Sequence, residues 1–130
     1  TFVGLTSLVV CQQAIAEIEC LDTLVNLEDL WLCETNTTKI KGLDNNTKLK
    51  RLYLYSNRIR TIENLAHLTE LKTLWLFDNE IGEIKHLETL TGLTELNLAR
   101  NRIREIRSSL DANNNLIDLN LAGNELWSFK

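Results

Sequence analysis

The sequence predicts a right-handed solenoid of the α/β class, about six stacked repeats carrying a parallel concave sheet and a 3₁₀ or irregular convex side. Three observations predict it. Leu5, Leu27, Leu49, Leu71 and Leu93 recur every 22 residues, and Leu116 follows after 23. Each of these leucines leads into a second apolar pair of the form L-x-L. An asparagine stands three residues beyond the last leucine of that pair in four of the blocks.

The block from Leu71 shows the whole pattern: Leu71, Leu74, Leu76, Asn79, Ile81, Ile84, Leu87 and Leu90. Alternation in L-x-L is the period of a strand, so the two leucines point inward and the residue between them outward. The asparagine falls where the chain must turn. Its amide both donates and accepts, so it can satisfy turn backbone that would otherwise be buried unpaired. The rest of the block is apolar at every third position, which suits 3₁₀ or irregular turns better than a long helix. One block cannot bury its leucines alone, whereas a stack shares one continuous core.

The blocks from Leu49, Leu93 and Leu116 follow the same plan, the Leu93 block with one extra residue before Leu110. The first two are looser. Gln13 stands at the asparagine position of the first block as a longer amide. In the second, Thr35 and Thr37 occupy the asparagine and isoleucine positions. Asn36 lies one place late, which leaves room for a bulged turn.

Composition fits this reading. With 44% apolar and 25% charged residues the chain matches an ordinary soluble globular domain. It reads as a single domain over 1–130. It opens and closes inside a repeat, so it is expected to be a piece of a longer repeat protein whose uncapped ends self-associate or fray. The net charge of −4 gives no pull toward nucleic acid or an anionic membrane. Charge is uneven: residues 1–47 carry seven acids and two bases, residues 48–130 eleven acids and twelve bases. Three cysteines, Cys11, Cys20 and Cys33, are too few for a disulfide framework and point to a reducing, intracellular compartment. Two glycosylation sequons, at Asn36 and Asn45, are tripeptides that also arise by chance.

These blocks resemble the leucine-rich repeat family, in its 22-residue subclass typified by the nuclear regulatory subunit of protein phosphatase 1. The stretches Leu52-Tyr53-Leu54-Tyr55-Ser56-Asn57 and Leu119-Asn120-Leu121-Ala122-Gly123-Asn124 are similar to those of the leucine-rich repeat-containing protein 9 family, which is cilium-associated. The resemblance covers essentially the whole chain. It implies a protein-binding scaffold in the cytoplasm, the cytoskeleton or cilium, or the nucleus. It names no partner.

Candidate binding residues follow from the strand alternation. The outward residues between the strand leucines are Val9, Trp31, Tyr53, Trp75, Asn97 and Asn120. Those just after them are Cys11, Cys33, Tyr55, Phe77, Ala99 and Ala122. Five of eight aromatics therefore fall on three neighbouring strands of one outward face: Trp31, Tyr53, Tyr55, Trp75 and Phe77. Aromatics anchor protein interfaces, and a contiguous apolar patch marks an interaction site. The bland alternative is that they stack to stiffen the sheet. Asp29, Arg51 and Asp78, with Glu34, Glu95 and Arg100, give the patch a charged rim.

Other chemistries find less support. Arg58, Arg60, Arg100, Arg102, Arg104 and Arg107 form two basic clusters, but Glu63, Glu80, Glu83 and Glu105 dilute them as a nucleic-acid surface. His67 and His86 lie at different repeat positions. No catalytic set, phosphate loop or Cys-x-x-Cys is present, so neither an enzyme, a cofactor nor a metal is expected. Cys11 and Cys33 are equivalent positions on neighbouring strands, with no histidine to complete a zinc site. The sequence thus points to a module that binds a protein in its concave groove. A structural spacer in a ciliary or cytoskeletal protein and an extracellular recognition ectodomain are the alternatives.

Overall fold

A computed structural model describes residues 2–15 and 17–129. A short strand runs into each L-x-L segment: β1 (Ser7–Cys11), β2 (Asp29–Cys33), β3 (Arg51–Tyr53), β4 (Thr73–Trp75), β5 (Glu95–Asn97) and β6 (Asp118–Asn120). They form one parallel sheet in chain order. Pairing keeps the repeat phase, with Leu30 opposite Leu52, Leu52 opposite Leu74 and Leu74 opposite Leu96. A one-residue slip would turn the leucines outward, so burial of one face pins the register.

The return side contains no helix among the described residues. Leu68 N–H donates to Leu65 O at 2.9 Å and Leu71 N–H to Leu68 O at 3.1 Å, and Leu90 and Leu93 repeat this. These are single i→i−3 turns, as apolar spacing of three requires. The strand leucines and return-side apolar residues together make one core running the length of the stack. Each buried leucine contributes about 1.5–3 kcal/mol. The core thins toward the end of the stack: Leu96 is fully buried, whereas Leu119, on a strand paired along one side only, is 40% exposed.

The asparagine column behaves as the repeat predicts. Asn79 Nδ2 donates to Leu54 O and Leu76 O, both at 3.0 Å, while its Oδ1 accepts from Ile59 N–H at 3.0 Å. Asn57, Asn101 and Asn124 repeat the motif. Each amide thus ties its own coil to the one before. Thr35 takes the position in the second coil, fully buried, with its hydroxyl 2.9 Å from Asn57 Oδ1. Because Thr35 and Thr37 both stay in phase with Asn57, no bulge is needed; Asn36 projects outward in a left-handed conformation. Gln13 does not join the ladder and is exposed. It lies in the first described coil, and among the described residues no preceding coil offers carbonyls to its amide.

Two columns of left-handed residues turn the coils. Gln12, Glu34, Ser56, Asp78 and Arg100 have φ values from 54° to 58° and precede the asparagine positions, with Gly123 completing the column. Cys20, Gly42, Asn64 and His86 make the second, just before a return-side leucine. In the fifth coil the extra residue displaces this turn to Arg107.

Candidate functional site

The sheet register places Trp31, Tyr53 and Trp75 side by side on β2, β3 and β4. Tyr55 and Phe77 follow directly, one residue beyond the next inward leucine. All five rings touch. Trp31 stacks on Tyr53 with centroids 4.2 Å apart and planes 17° apart. Trp75 meets Tyr53 edge-on at 4.8 Å. Tyr55 and Phe77 stack at 4.5 Å, almost parallel, and Trp75 lies about 6 Å from both.

Stacking changes what the patch exposes. Tyr53, expected to face water, is only 8% exposed because a tryptophan covers it on each side. Trp31, Tyr55, Trp75 and Phe77 are half-buried. The ladder therefore presents ring edges and outer faces around a hidden centre, and its area is smaller than five independent aromatics would give. Burial pushes the Tyr53 hydroxyl above its ordinary range.

The rim is more ordered than a set of free charges. Arg51 makes a bidentate ion pair with Asp29 across β2 and β3, which holds the Arg51 guanidinium firmly protonated. Trp75 Nε1 donates to Glu95 Oε1 at 3.0 Å. Ser56 donates to Asp78 at 2.9 Å. Thus Asp29, Arg51 and Asp78 do border the aromatics, but each is already engaged by a neighbouring coil. The Trp75–Glu95 bond escaped sequence reasoning, although the two positions flank the same pair of strands.

In the same column as Tyr55 and Phe77, Cys11 and Cys33 pair in register on β1 and β2. Burial pushes the Cys33 thiol up to about 12, and its sulfur lies 3.7 Å from the Tyr53 carbonyl oxygen as a donor. Contact with Cys33, then burial, pushes the Tyr55 hydroxyl up to about 12. Neither group is poised for nucleophilic chemistry at neutral pH.

Apart from Arg100, the arginines of the two clusters pair with glutamates beyond the strands. Arg58, Arg60 and Arg102 converge on Glu80 at 3.8, 3.8 and 3.3 Å, Arg104 reaches Glu125 at 3.3 Å, and Arg107 reaches Glu105 at 2.9 Å. His67 and His86 sit on the return side, each hydrogen-bonded to a carbonyl of the preceding coil, Leu43 at 2.8 Å and Ile62 at 3.2 Å.

The family pattern of paired leucine-rich repeats matches residues 47–89, which span the coils carrying Tyr53, Tyr55, Trp75 and Phe77. Residues 47–89 carry leucine-rich repeats, and the fold is a leucine-rich repeat solenoid. Among solved structures, this leucine-rich repeat chain is similar to an internalin of Listeria monocytogenes, with a TM-score of 0.90 and 33% identity over 97% of this chain and 37% of that one. It is also similar to internalin C2 of the same organism, with a TM-score of 0.77 and 31% identity over 83% of this chain and 47% of that one. A leucine-rich repeat protein of Leptospira interrogans shares the fold, with a TM-score of 0.82 and 22% identity over 94% of this chain and 32% of that one. The chain therefore spans less than half of each of these structures. A search of curated proteins returns no match. Leucine-rich repeat proteins generally mediate protein–protein interaction. These matches bear on the repeat alone and give no support to the narrower resemblance to the phosphatase regulatory subunit or the cilium-associated family.

Proposed function

We propose that this domain is a non-enzymatic interaction module that takes a protein partner on the concave sheet face, with Trp31, Trp75, Tyr55 and Phe77 as anchors. The observation that carries it is the contiguity of the aromatic ladder on positions the core does not need. Leu30, Leu32, Leu52, Leu54, Leu74 and Leu76 already fill the core beneath it. Half-buried rings bordered by the Asp29–Arg51 ion pair and by the Trp75–Glu95 and Ser56–Asp78 hydrogen bonds are pre-organised, so a partner has little side-chain entropy to remove on docking. Arginines committed to Glu80, Glu125 and Glu105 favour a protein over nucleic acid. Among the described residues no helix is long and apolar enough to cross a membrane.

A structural spacer remains the second reading, favoured by the burial of Tyr53 between its neighbours. An intracellular setting belongs to the first reading and is supported by the free thiols of Cys11, Cys20 and Cys33. A photo-crosslinking residue at Phe77 tests the site: it should trap a partner that the same residue at Lys85, on the return side, does not. Equal trapping from both positions, or none from Phe77, would move the interface elsewhere.

A further inference from the structure

The strands beside the ladder carry a different chemistry, and they bear on the kind of partner. On β5 and β6, Glu95 lies opposite Asp118 and Asn97 opposite Asn120. Asn97 Oδ1 accepts from Ala99 N–H at 3.1 Å and Asn120 Oδ1 from Ala122 N–H at 3.0 Å. Each amide is thereby fixed with its Nδ2 donor unclaimed among the described residues. With only Ala99 and Ala122 alongside, this part of the face forms a low step against the wall made by Trp75 and Phe77.

Charge on the face is one-sided. The positions flanking the outward columns carry Asp29, Glu34, Asp78, Glu95 and Asp118 against Arg51 and Arg100, five carboxylates to two guanidiniums. Arg51 is committed to Asp29. Among the described residues no cation pairs with Glu34, Asp78, Glu95 or Asp118, whereas five arginines are spent on glutamates beyond the strands.

From this complementarity we infer that the face selects a basic polypeptide segment, an extended stretch with apolar side chains on the aromatic wall and a lysine or arginine beside Trp75. The inference rests on the proposed binding role of the ladder. Parallel strands stand about 4.8 Å apart, so one cation beside Trp75 reaches the carboxylates of both Glu95 and Asp118. The indole face adds a cation–π attraction. Glu95 is held in place by the Trp75 N–H, so half of its acceptor capacity faces outward already oriented. The amides of Asn97 and Asn120 then meet carbonyls of the extended segment.

Two short synthetic peptides serve as probes, one alternating leucine with lysine and one leucine with glutamate. Binding is read by tryptophan fluorescence in a Trp127→Phe background, which leaves Trp31 and Trp75 as reporters. The lysine peptide should bind at least about tenfold more tightly than the glutamate peptide, and should weaken as salt rises. Glu95→Gln with Asp118→Asn should remove most of that preference while keeping the fold, because glutamine still accepts from Trp75. Equal binding of the two peptides, or a preference untouched by the double charge variant, overturns the basic-partner inference and leaves the aromatic site standing. Lysine-peptide binding that survives loss of both tryptophans, followed by peptide fluorescence anisotropy, overturns the site itself. Failure of both peptides to bind counts against the basic-partner inference and the aromatic site alike.

Discussion

The side-chain oxygen of Asn57 accepts two hydrogen bonds from Thr35 in the preceding coil, from its backbone N–H and from its hydroxyl, each at 2.9 Å. A threonine at the asparagine position thus hands its turn to the next amide in the stack. Where that amide is missing, buried backbone is left unpaired. Asn79→Ala should therefore cost about 1–3 kcal/mol. Asn97→Ala, which removes only a half-exposed contact to Ala99 N–H, should cost much less. Urea midpoints compare the two; equal shifts would refute the ladder's role.

Gly42 is required by space as well as by conformation. Its φ is +76°, and a Cβ there would sit 2.5 Å from Ile18 O. Gly42→Ala should destabilise by about 1–3 kcal/mol. Gly82→Ala, where a Cβ meets nothing within 4 Å, should be close to neutral in the same denaturant titration.

The repeat made most of this fold legible, because the 22-residue phase and the L-x-L alternation each specify which side chains are buried. What stayed hidden depends on contacts between coils. Asn46 and Asn113 stand in phase with Leu68 and Leu90 and so read as breaks in the pattern. They are instead buried, each donating to two carbonyls near 3 Å in the manner of the strand-side asparagines. The strand alternation puts the five aromatics on one face, but the covering of Tyr53 follows from how its neighbours lean. The Asp29–Arg51 pair is likewise a property of adjacent strands rather than of either segment.

Thiol reactivity should separate the cysteines. Cys20 is exposed, whereas Cys33 is buried with its thiol pushed up to about 12. Iodoacetamide near pH 8 should label Cys20 readily and leave Cys33 intact until the chain unfolds, as read by peptide mass spectrometry. Rapid labelling of Cys33 would contradict its burial.

The same shift has a consequence for stability. Cys33 and Tyr55 bind their protons more tightly folded than unfolded, where their ordinary values are 9.0 and 10.0. Their contribution is fully present below pH 9 and is lost as pH rises toward 12. The urea midpoint should fall steadily over that range, and Cys33→Ala should flatten the fall. A midpoint independent of alkaline pH would count against both shifts.

The final coil should open first. β6 is paired on one side only, and Ile117 and Leu119 are exposed. Amide exchange at Asp118–Asn120 should run faster than at Arg51–Tyr53. Uniform protection along the stack would show that the coils are more tightly coupled than their packing implies.

Whether the aromatic ladder is an interface or a stiffener is decided most directly by capture of a partner with Trp31→Ala and Trp75→Ala combined. Circular dichroism should show the sheet intact, since the core leucines beneath are untouched. Partner capture should fall at least about tenfold, as for loss of two buried aromatic anchors. Asn97→Ala with Asn120→Ala, on the same sheet but outside the ladder, should matter far less. If the folded double tryptophan variant captures its partner as well as the wild-type chain, the ladder is not the binding site.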